Sequence, residues 1–277
     1  MDLSSFAALH PRLDPTRRLL VLELEHGKAN EVGRGELAAF DALCEALEAD
    51  TGEVCCVCTG SQRLSRSGKP IFIAGANVTE RVGWSDTQVK QHVIRQRALM
   101  LRIRHLPMFT VAVTHGITLG WGAEFLLTAD YTLATPKARI GLPETGLGIL
   151  PGARGTGELA RVVGPAQALR LGCTGEQVDA AEALRIGLVQ EVVPDYAAAM
   201  ARVEALAQRL QTRSPTAVAA YKRGVLAGLG QPEDVRLELE RVAYEQCVDA
   251  GEAAIGRQNF SAIRAGETPP WGPRIKP

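Results

Sequence analysis

The sequence has few of the features that define membrane, secreted or nucleic-acid-binding proteins. Its longest apolar runs, such as Phe109 to Val113, are far shorter than the ~18 residues of a membrane span. The first residues lack a basic region followed by an apolar core, so no secretory signal is expected. Lys plus Arg total 31 and Asp plus Glu total 31, which gives a formal net charge of +0. Neither a basic balance nor an acidic tract is present, so we expect a cytoplasmic protein without nucleic-acid or membrane partners.

Cysteine is also scarce, with 6 residues in a chain of 277. Such a number cannot form the dense disulfide framework of a small secreted domain. Cys55, Cys56 and Cys58 lie close together, but a zinc site needs a second pair of ligands at suitable spacing and none follows. We therefore interpret these three residues as buried strand cysteines and predict no metal site.

The remaining composition, 46% hydrophobic and 22% charged, is that of an ordinary globular protein. Up to residue 194, short apolar runs alternate with helical patterns, which predicts an α/β domain of parallel strands joined by helices. Residues 195–277 carry helical patterns only and end in a Pro-rich, irregular tail from Gly266. The predicted strands are 19–25, 54–59, 71–73, 109–113 and 131–134, and the clearest helices are 36–49 and 87–105.

Two segments share a layout in which an apolar strand enters small residues and the chain then becomes helical. They are IFIAGANVTER, which begins at Ile71, and VAVTHGITLGWGAEFLL, which begins at Val111. Unpaired backbone N–H groups at such turns are able to bind an anionic oxygen, and two of them converging on one carbonyl would form an oxyanion hole. Each turn taken alone is equally consistent with glycines that only shape the chain. Neither has the spacing of a phosphate loop or of a dinucleotide fingerprint.

Two glutamates accompany these turns. Glu124 follows the second turn at the start of an apolar helix, and Glu144 follows Pro143 in a segment too rich in Gly and Pro for regular structure. Individually they fit a first-turn glutamate stabilised by the helix dipole and a solvated loop carboxylate. Together, a pair of carboxylates beside an oxyanion hole indicates acid–base chemistry.

The sequence resembles the enoyl-CoA hydratase/isomerase (crotonase) superfamily across nearly its whole length, and the segments just described carry part of this resemblance. The similar stretches, in order, are GKAN at 27–30, AGANVTE at 74–80, HGITLGWGAEFLLTADYTLAT at 115–135, ARIGLPETGLGILPGARGT at 138–156 and ALRIGLVQEVV at 183–193. The resemblance implies a crotonase-like spiral of ββα turns over residues 1–194 and a helical oligomerisation region over 195–277. It also implies a homotrimer or dimer of trimers, an acyl-CoA thioester as substrate, and no cofactor, because coenzyme A is part of that substrate.

Residue by residue, the resemblance implies that the backbone N–H groups of Ala76 and Trp121 form the oxyanion hole. It implies that Glu124 and Glu144 are the catalytic pair of an enoyl-CoA hydratase, which adds water across the α,β double bond or removes it. The implied substrate-binding residues are Lys28, Ala29, Ala74, Gly75, Asn77 and Gly120. The position of Lys28 and Ala29 is the loosest of these, since their segment is one residue shorter than the common form.

Other activities of the same fold stay open at this point. A Δ3,Δ2-enoyl-CoA isomerase would use Glu144 alone, and a specialised acyl-CoA hydrolase or lyase would share the oxyanion hole. A non-catalytic acyl-CoA-binding protein is a further alternative, because fold does not determine function. All of these readings place the chain in fatty acid or acyl-CoA metabolism.

Two residues depart from the family pattern, and a third, on a late helix, is interpreted without a role in the site. Trp121 stands where a glycine is usual, and its indole is expected either in the core or in the wall of the acyl pocket. Arg154 stands where a small residue is usual and is expected to add a positive charge near the site. Lys222 is interpreted as an exposed helix lysine.

Overall fold

The structure, a computed structural model, describes residues 1–275. Residues 276 and 277, which end the predicted C-terminal region, lie outside the described part. Within it the strands are β1 (Pro11–Asp14), β2 (Leu19–Glu23), β3 (Cys56–Gly60), β4 (Ile71–Ile73), β5 (Phe109–Thr114), β6 (Ile117–Leu119), β7 (Tyr131–Ala134), β8 (Arg139–Gly141), β9 (Val178–Asp179) and β10 (Glu191–Val192).

The α-helices of the same residues are α1 (Arg34–Ala49), α2 (Asp86–Arg104), α3 (Trp121–Leu126), α4 (Gly155–Val163), α5 (Pro165–Thr174), α6 (Ala180–Arg185), α7 (Tyr196–Leu210), α8 (Pro215–Gly228), α9 (Glu233–Asp249), α10 (Glu252–Gln258) and α11 (Phe260–Arg264). Short 3₁₀ helices cover Ser4–Leu9, Val78–Arg81 and Pro143–Leu147. None of these helices is long and apolar enough to cross a membrane.

The strands form two sheets, and the chain moves from one to the other in each repeat. The first sheet has the order β1-β2-β3-β5-β7-β10 and the second the order β4-β6-β8-β9. Successive strand pairs therefore place one strand in each sheet before a helix returns the chain: β3, β4 and α2, then β5, β6 and α3, then β7, β8 and α4. This is the predicted spiral of ββα turns, and most strand pairs are parallel; β1 with β2 and β8 with β9 are antiparallel.

The main core lies between the two sheets and the helices that connect them. Phe40 and Leu37 of α1, Phe72 and Ile73 of β4, and Trp121 of α3 are among its buried side chains. A second cluster fills the space between the six-stranded sheet and α7, where alanine and valine side chains pack on strand residues that include Cys56 and Cys58. Those two cysteines are buried as predicted, while Cys55, directly before the strand, is half-buried.

The C-terminal region is helical, as the sequence predicts, and it leaves much apolar surface exposed. Helix α9 has no buried residue and packs chiefly against α8 and α10. The large hydrophobic side chains left exposed on α8 and α9 are Tyr221, Val225, Val235, Leu237, Val242, Tyr244 and Val248. Residues 266–275 are irregular, but they are anchored to the body because Arg274 forms a buried ion pair with Asp50 at 2.8 Å.

The interpretation of Lys222 as an exposed lysine was wrong. Its Nζ lies 2.6 Å from Oδ2 of Asp130 and donates to the carbonyl oxygen of Met108 at 3.0 Å, and its side chain is only 10% exposed. Burial lowers the pKa of Lys222, and the neighbouring Asp130 carboxylate opposes that change. The pair therefore joins α8 to the loop before β7 inside the protein.

Candidate active site

The two small-residue turns lie side by side because the strands that precede them are neighbours. Strands β4 and β6 pair in parallel, with Ile71 opposite Ile117 and Ile73 opposite Thr118. Parallel strands end at the same edge of a sheet, so the turn of residues 74–77 adjoins the turn at Gly120. A β-carbon on Gly120 would stand 3.7 Å from the Cα atom of Gly75, which is van der Waals contact. The structure thus brings the two predicted turns together.

The backbone N–H groups of Ala76 and Trp121 are both available at this place. The N–H of Val32 donates to Gly75 and the N–H of Asn77 donates to Val32, so the intervening N–H of Ala76 faces away from Val32. Trp121 is the first residue of α3, where a helix has no internal partner for its N–H. Neither N–H donates to another group within residues 1–275. Two free donors on touching turns have the chemistry that an oxyanion hole requires.

Glu124 lies one turn into α3 and is held by a second loop. Its carboxylate Oε1 accepts hydrogen bonds from the N–H groups of Ala153 and Gly155, both at 2.7 Å. Glu124 is only 3% exposed. Burial raises the pKa of Glu124 to about 7; the negative charge of Glu144 adds to this effect, and the two N–H donors oppose it. A carboxyl group that ionises near neutral pH suits general acid–base catalysis.

The sequence alone fits Glu144 as a solvated loop residue, whereas the structure buries it. It lies in the 3₁₀ helix Pro143–Leu147 and is 8% exposed, so a solvated loop carboxylate is the wrong description. Its Oε1 would stand 3.0 Å from a β-carbon on Gly120, and its Oε2 is buried without a hydrogen-bond partner in the described residues. Burial raises the pKa of Glu144 as well. Two carboxyl groups with raised pKa values therefore adjoin the same turn.

The indole of Trp121 lies in the core, which is one of its two expected locations. The residue is 2% exposed, and its ring is stacked on Phe125 at 5.5 Å and tilted against Phe40 at 5.7 Å between ring centroids. Its Nε1 has no partner in the described residues. The side chain therefore serves packing, and only the backbone N–H faces the turn.

The guanidinium of Arg154, the positive charge expected near the site, is paired with a carboxylate. It forms an ion pair with Glu158 at 2.8 Å, and Glu158 also contacts Arg161 at 2.7 Å. Arg104 also lies 3.4 Å from Glu158, so three guanidinium groups share this one carboxylate. The backbone of Arg154, however, has a φ of 85° between the two N–H groups that hold Glu124.

The other predicted substrate-binding residues surround the first turn. The carbonyl oxygen of Ala29 accepts a hydrogen bond from the N–H of Ala74 at 3.1 Å, so the two segments lie against each other. Lys28 is exposed beside them. The side-chain oxygen of Asn77 accepts from the hydroxyl of Thr79 at 2.6 Å. These positions form a continuous edge that leads from an exposed lysine to the free N–H of Ala76.

Sequence reasoning missed two groups that shape the site. The N–H donors of Ala153 and Gly155 lie just before and at the start of α4, and their approach to Glu124 depends on how the chain folds. Asn30 was not singled out; it is fully buried, and its amide donates to Leu24, Ser61 and Phe72. Its φ of 51° lies in the left-handed region, which asparagine adopts more readily than most residues. The asparagine itself is therefore the sequence feature that could have indicated this position.

A separate cavity of about 910 Å³ lies away from the two glutamates. It is lined mainly by apolar side chains of α8 and of the body, such as Val225, Leu126 and Leu188, and by none of the predicted site residues. The charged groups Lys222 and Arg104 in its wall are already engaged by carboxylates.

Both the sequence and the fold match known proteins. Residues 41–268 match the family model described as enoyl-CoA hydratase/isomerase. The chain is 36% identical over 200 residues to mouse "enoyl-CoA hydratase domain-containing protein 2, mitochondrial", covering 71% of this chain and 68% of that protein. It is 30% identical over 236 residues to a short-chain-enoyl-CoA hydratase of Clostridium acetobutylicum, covering 85% and 88%. The crystal structure of an enoyl-CoA hydratase from Bacillus anthracis superposes with a TM-score of 0.83 at 29% identity, covering 94% and 98%.

Proposed function

The chain belongs to the enoyl-CoA hydratase/isomerase family, and on that premise we propose that it hydrates the α,β double bond of an enoyl-CoA thioester. The observation that carries the proposal is the pair of buried glutamates, Glu124 and Glu144, beside two free backbone donors. Both carboxyl groups have raised pKa values, and that of Glu124 is about 7, so Glu124 is suited to exchange a proton near neutral pH. A single carboxylate would be sufficient to move a proton within a substrate, whereas adding water requires a base and an acid.

The proposed reaction begins with the thioester oxygen on the N–H groups of Ala76 and Trp121. These donors stabilise the enolate that develops when a nucleophile attacks the β carbon. Glu124 binds the water and accepts one of its protons as the oxygen–carbon bond forms. Glu144 shares that water and gives a proton to the α carbon, so hydroxyl and hydrogen add across the double bond. After the product leaves, Glu124 gives its proton to solvent water and Glu144 takes one up, which restores both groups. The same steps in the opposite order are dehydration.

The coenzyme A part of the substrate is proposed to follow the edge formed by Lys28, Ala29 and residues 74–77. Exposed Lys28 provides a positive charge for a phosphate, and the small side chains of Ala74 and Gly75 let a narrow chain approach the backbone. Gly120 completes the wall next to the thioester. Coenzyme A is part of the substrate in this scheme, and the mechanism uses no further cofactor.

We also propose that residues 195–277 form an oligomerisation region on the core of residues 1–194. The exposed apolar side chains of α8 and α9 support this, because monomers rarely leave such contiguous surface open to water. The cavity beside α8 adds to the same surface. A homotrimer or a dimer of trimers is the assembly we propose.

The decisive experiment measures loss of absorbance at the enoyl-thioester band with a panel of acyl-CoAs of different length and branching. We expect turnover by the unmodified protein and a loss of about 10²–10⁴-fold in Glu124→Gln. Exposed Glu267, far from the site in sequence, provides the matched Glu267→Gln control, which should behave as the unmodified protein. Absence of hydration across the whole panel would contradict the proposal.

The same assay separates the alternatives within the family. A Δ3,Δ2-enoyl-CoA isomerase would convert a 3-enoyl-CoA and would keep most activity in Glu124→Gln, since only Glu144 moves the proton. Release of free coenzyme A would instead indicate a hydrolase. Binding of acyl-CoA without any turnover would indicate a non-catalytic binding protein.

A further inference from the structure

The turn that holds Glu124 has an arginine where its backbone favours glycine. Arg154 adopts φ 85° and ψ −1°, the left-handed region. Chain reversal at such a residue lets neighbouring N–H groups point to one side and form an anion-binding concavity. Here the N–H groups of Ala153 and Gly155 converge at 2.7 Å on Oε1 of Glu124. The left-handed conformation of residue 154 is therefore what aims both donors at the carboxylate.

A left-handed conformation is unfavourable for an arginine, because its β-carbon crowds the neighbouring carbonyl oxygen, whereas glycine adopts it freely. Such a conformation persists only when the surrounding structure holds it. Arg154 meets Glu158 twice: its carbonyl oxygen accepts the N–H of Glu158 at 3.1 Å, and its side-chain Nη2 donates to Oε1 of Glu158 at 2.8 Å. Glu158 lies on the first turn of α4, which begins directly after the arginine.

Glu158 also reaches the helix that carries Glu124. Its Oε2 lies 3.4 Å from Nη1 of Arg104. The same Nη1 donates a hydrogen bond of 2.9 Å to the carbonyl oxygen of Leu127, at the end of α3. The side chain of Glu158 is 13% exposed, and the contacts with arginine side chains lower its pKa against the effect of burial. One partly buried carboxylate thus connects the loop that holds Glu124 to the helix that bears it.

We propose that the Arg154–Glu158 ion pair is a positioning device that does for this turn what a glycine would do: it keeps residue 154 left-handed and so keeps two N–H groups on Glu124. Its consequence for turnover rests on the proposed function, in which Glu124 is the base. Its consequence for the ionisation of Glu124 does not depend on any activity.

The sign of the effect separates positioning from simple electrostatics. The two N–H donors lower the pKa of Glu124, so loosening the turn should raise it. Removing the negative charge of Glu158 without moving the turn would lower the pKa of Glu124 instead, because a nearby anion disfavours a second one. The direction of the change in Glu158→Gln therefore distinguishes the two.

The experiment compares Arg154→Ala with Arg154→Gly, and adds Glu158→Gln to the unmodified protein and to R154G. Alanine and glycine remove the same charge and the same ion pair, and differ in their tolerance of the left-handed region. The ionisation of Glu124 is followed by infrared difference spectra against E124Q, and kcat and KM are measured on the best enoyl-CoA. Thermal unfolding identifies any variant that has lost its fold.

We expect R154A to raise the pKa of Glu124 by about one unit and to lower kcat about tenfold, with KM changed less than about twofold. R154G should lose clearly less than R154A. Glu158→Gln should cost about tenfold in kcat when Arg154 is present and less than about twofold in the R154G background, because glycine needs no ion pair. Arg161→Gln is the matched control, since Arg161 contacts Glu158 but not the turn; it should leave the pKa and kcat in place.

Equal behaviour of R154A and R154G, or a lowered pKa of Glu124 in Glu158→Gln, would overturn the proposal. An unmodified protein that lacks hydratase activity but shows the expected infrared shifts would refute the proposed function and support the positioning role. An active hydratase whose Glu124 ionisation and kcat are insensitive to R154A would support the proposed function and refute the positioning role.

Discussion

Gly120 and Glu144 are in contact: a β-carbon on the glycine would stand 3.0 Å from Oε1 of the glutamate. The same glycine has φ 52° and directly precedes Trp121, whose N–H is the second proposed oxyanion donor. It also accepts the N–H of Glu124 at its carbonyl oxygen at 3.0 Å. Gly120 thus positions the N–H of Trp121 and leaves room for the carboxylate of Glu144. Its carbonyl oxygen also begins the helix that carries Glu124.

Gly120→Ala is therefore expected to damage catalysis more than its size suggests. The new methyl group meets Glu144 Oε1, and the positive φ is unfavourable for alanine, so the carboxylate or the turn must shift. We expect kcat to fall about 10²-fold, the loss typical of one oxyanion donor. Steady-state kinetics with a thermal unfolding control measures this; a kcat within twofold of the unmodified protein would refute the contact.

Glu144→Gln should abolish hydration while the fold is retained. The amide has nearly the same shape but is unable to exchange a proton, and general acid–base catalysis contributes about 10²–10⁴-fold. Replacing a buried carboxyl that has no hydrogen-bond partner on Oε2 should not lower the thermal unfolding temperature. Near-normal turnover of this variant on the best substrate would remove Glu144 from the mechanism.

The pH dependence of hydration should report Glu124. A base must be ionised, and burial raises the pKa of Glu124 to about 7, so kcat/KM should decline as the pH falls below that value. A profile that stays flat down to pH about 5, near the ordinary value for a glutamate, would contradict the raised pKa.

Stability should depend on pH in the opposite sense. Between the ordinary glutamate pKa and about 7, the folded protein holds a proton on Glu124 that the unfolded chain has released. The free energy of unfolding should therefore decrease as the pH rises through this window, by on the order of 3 kcal/mol from this residue. Denaturant unfolding of the protein and of Glu124→Gln at several pH values tests it, since the variant should lose this part of the slope.

Trp121 is expected to matter for stability more than for substrate choice. Because its indole packs between Phe40 and Phe125, Trp121→Gly should destabilise the protein by about 3–5 kcal/mol. Trp121→Phe should lose much less, since the indole Nε1 has no partner to forfeit. Denaturant unfolding measures both, and the ranking of short, long and branched enoyl-CoAs should be the same in Trp121→Phe as in the unmodified protein. A changed ranking would place the side chain in the acyl pocket after all.

The exposed apolar surface of α9 predicts self-association. Light scattering should give a mass several times 29.6 kDa, that of one chain, and Leu237→Asp should reduce it because Leu237 is 60% exposed on that helix. Leu64→Asp, at a position 56% exposed outside the C-terminal region, is the matched control and should leave the mass unchanged. A mass of 29.6 kDa for the unmodified protein would contradict the oligomerisation proposal.

The sequence by itself determined the elements and the residue types of the site. Apolar runs such as Phe109 to Val113 specify buried strands, and helical spacing specifies α1, α2 and the C-terminal helices, because these patterns are local. The small-residue turns and the two glutamates were likewise visible, since chemistry depends on residue type. Boundaries differ by a few residues, and the short strand β8 lies in a segment judged too rich in Gly and Pro for regular structure.

Only the tertiary structure decided what surrounds these residues. Lys222 is buried because Asp130, 92 positions earlier in the chain, meets its ammonium group, and no local pattern encodes such a partner. Likewise, Glu144 changes from a loop residue to a buried acid, and Trp121 takes the core rather than the pocket wall. Burial and charge pairing are set by contacts between distant segments, so the pKa values and positions on which catalysis depends arise only when the chain is folded.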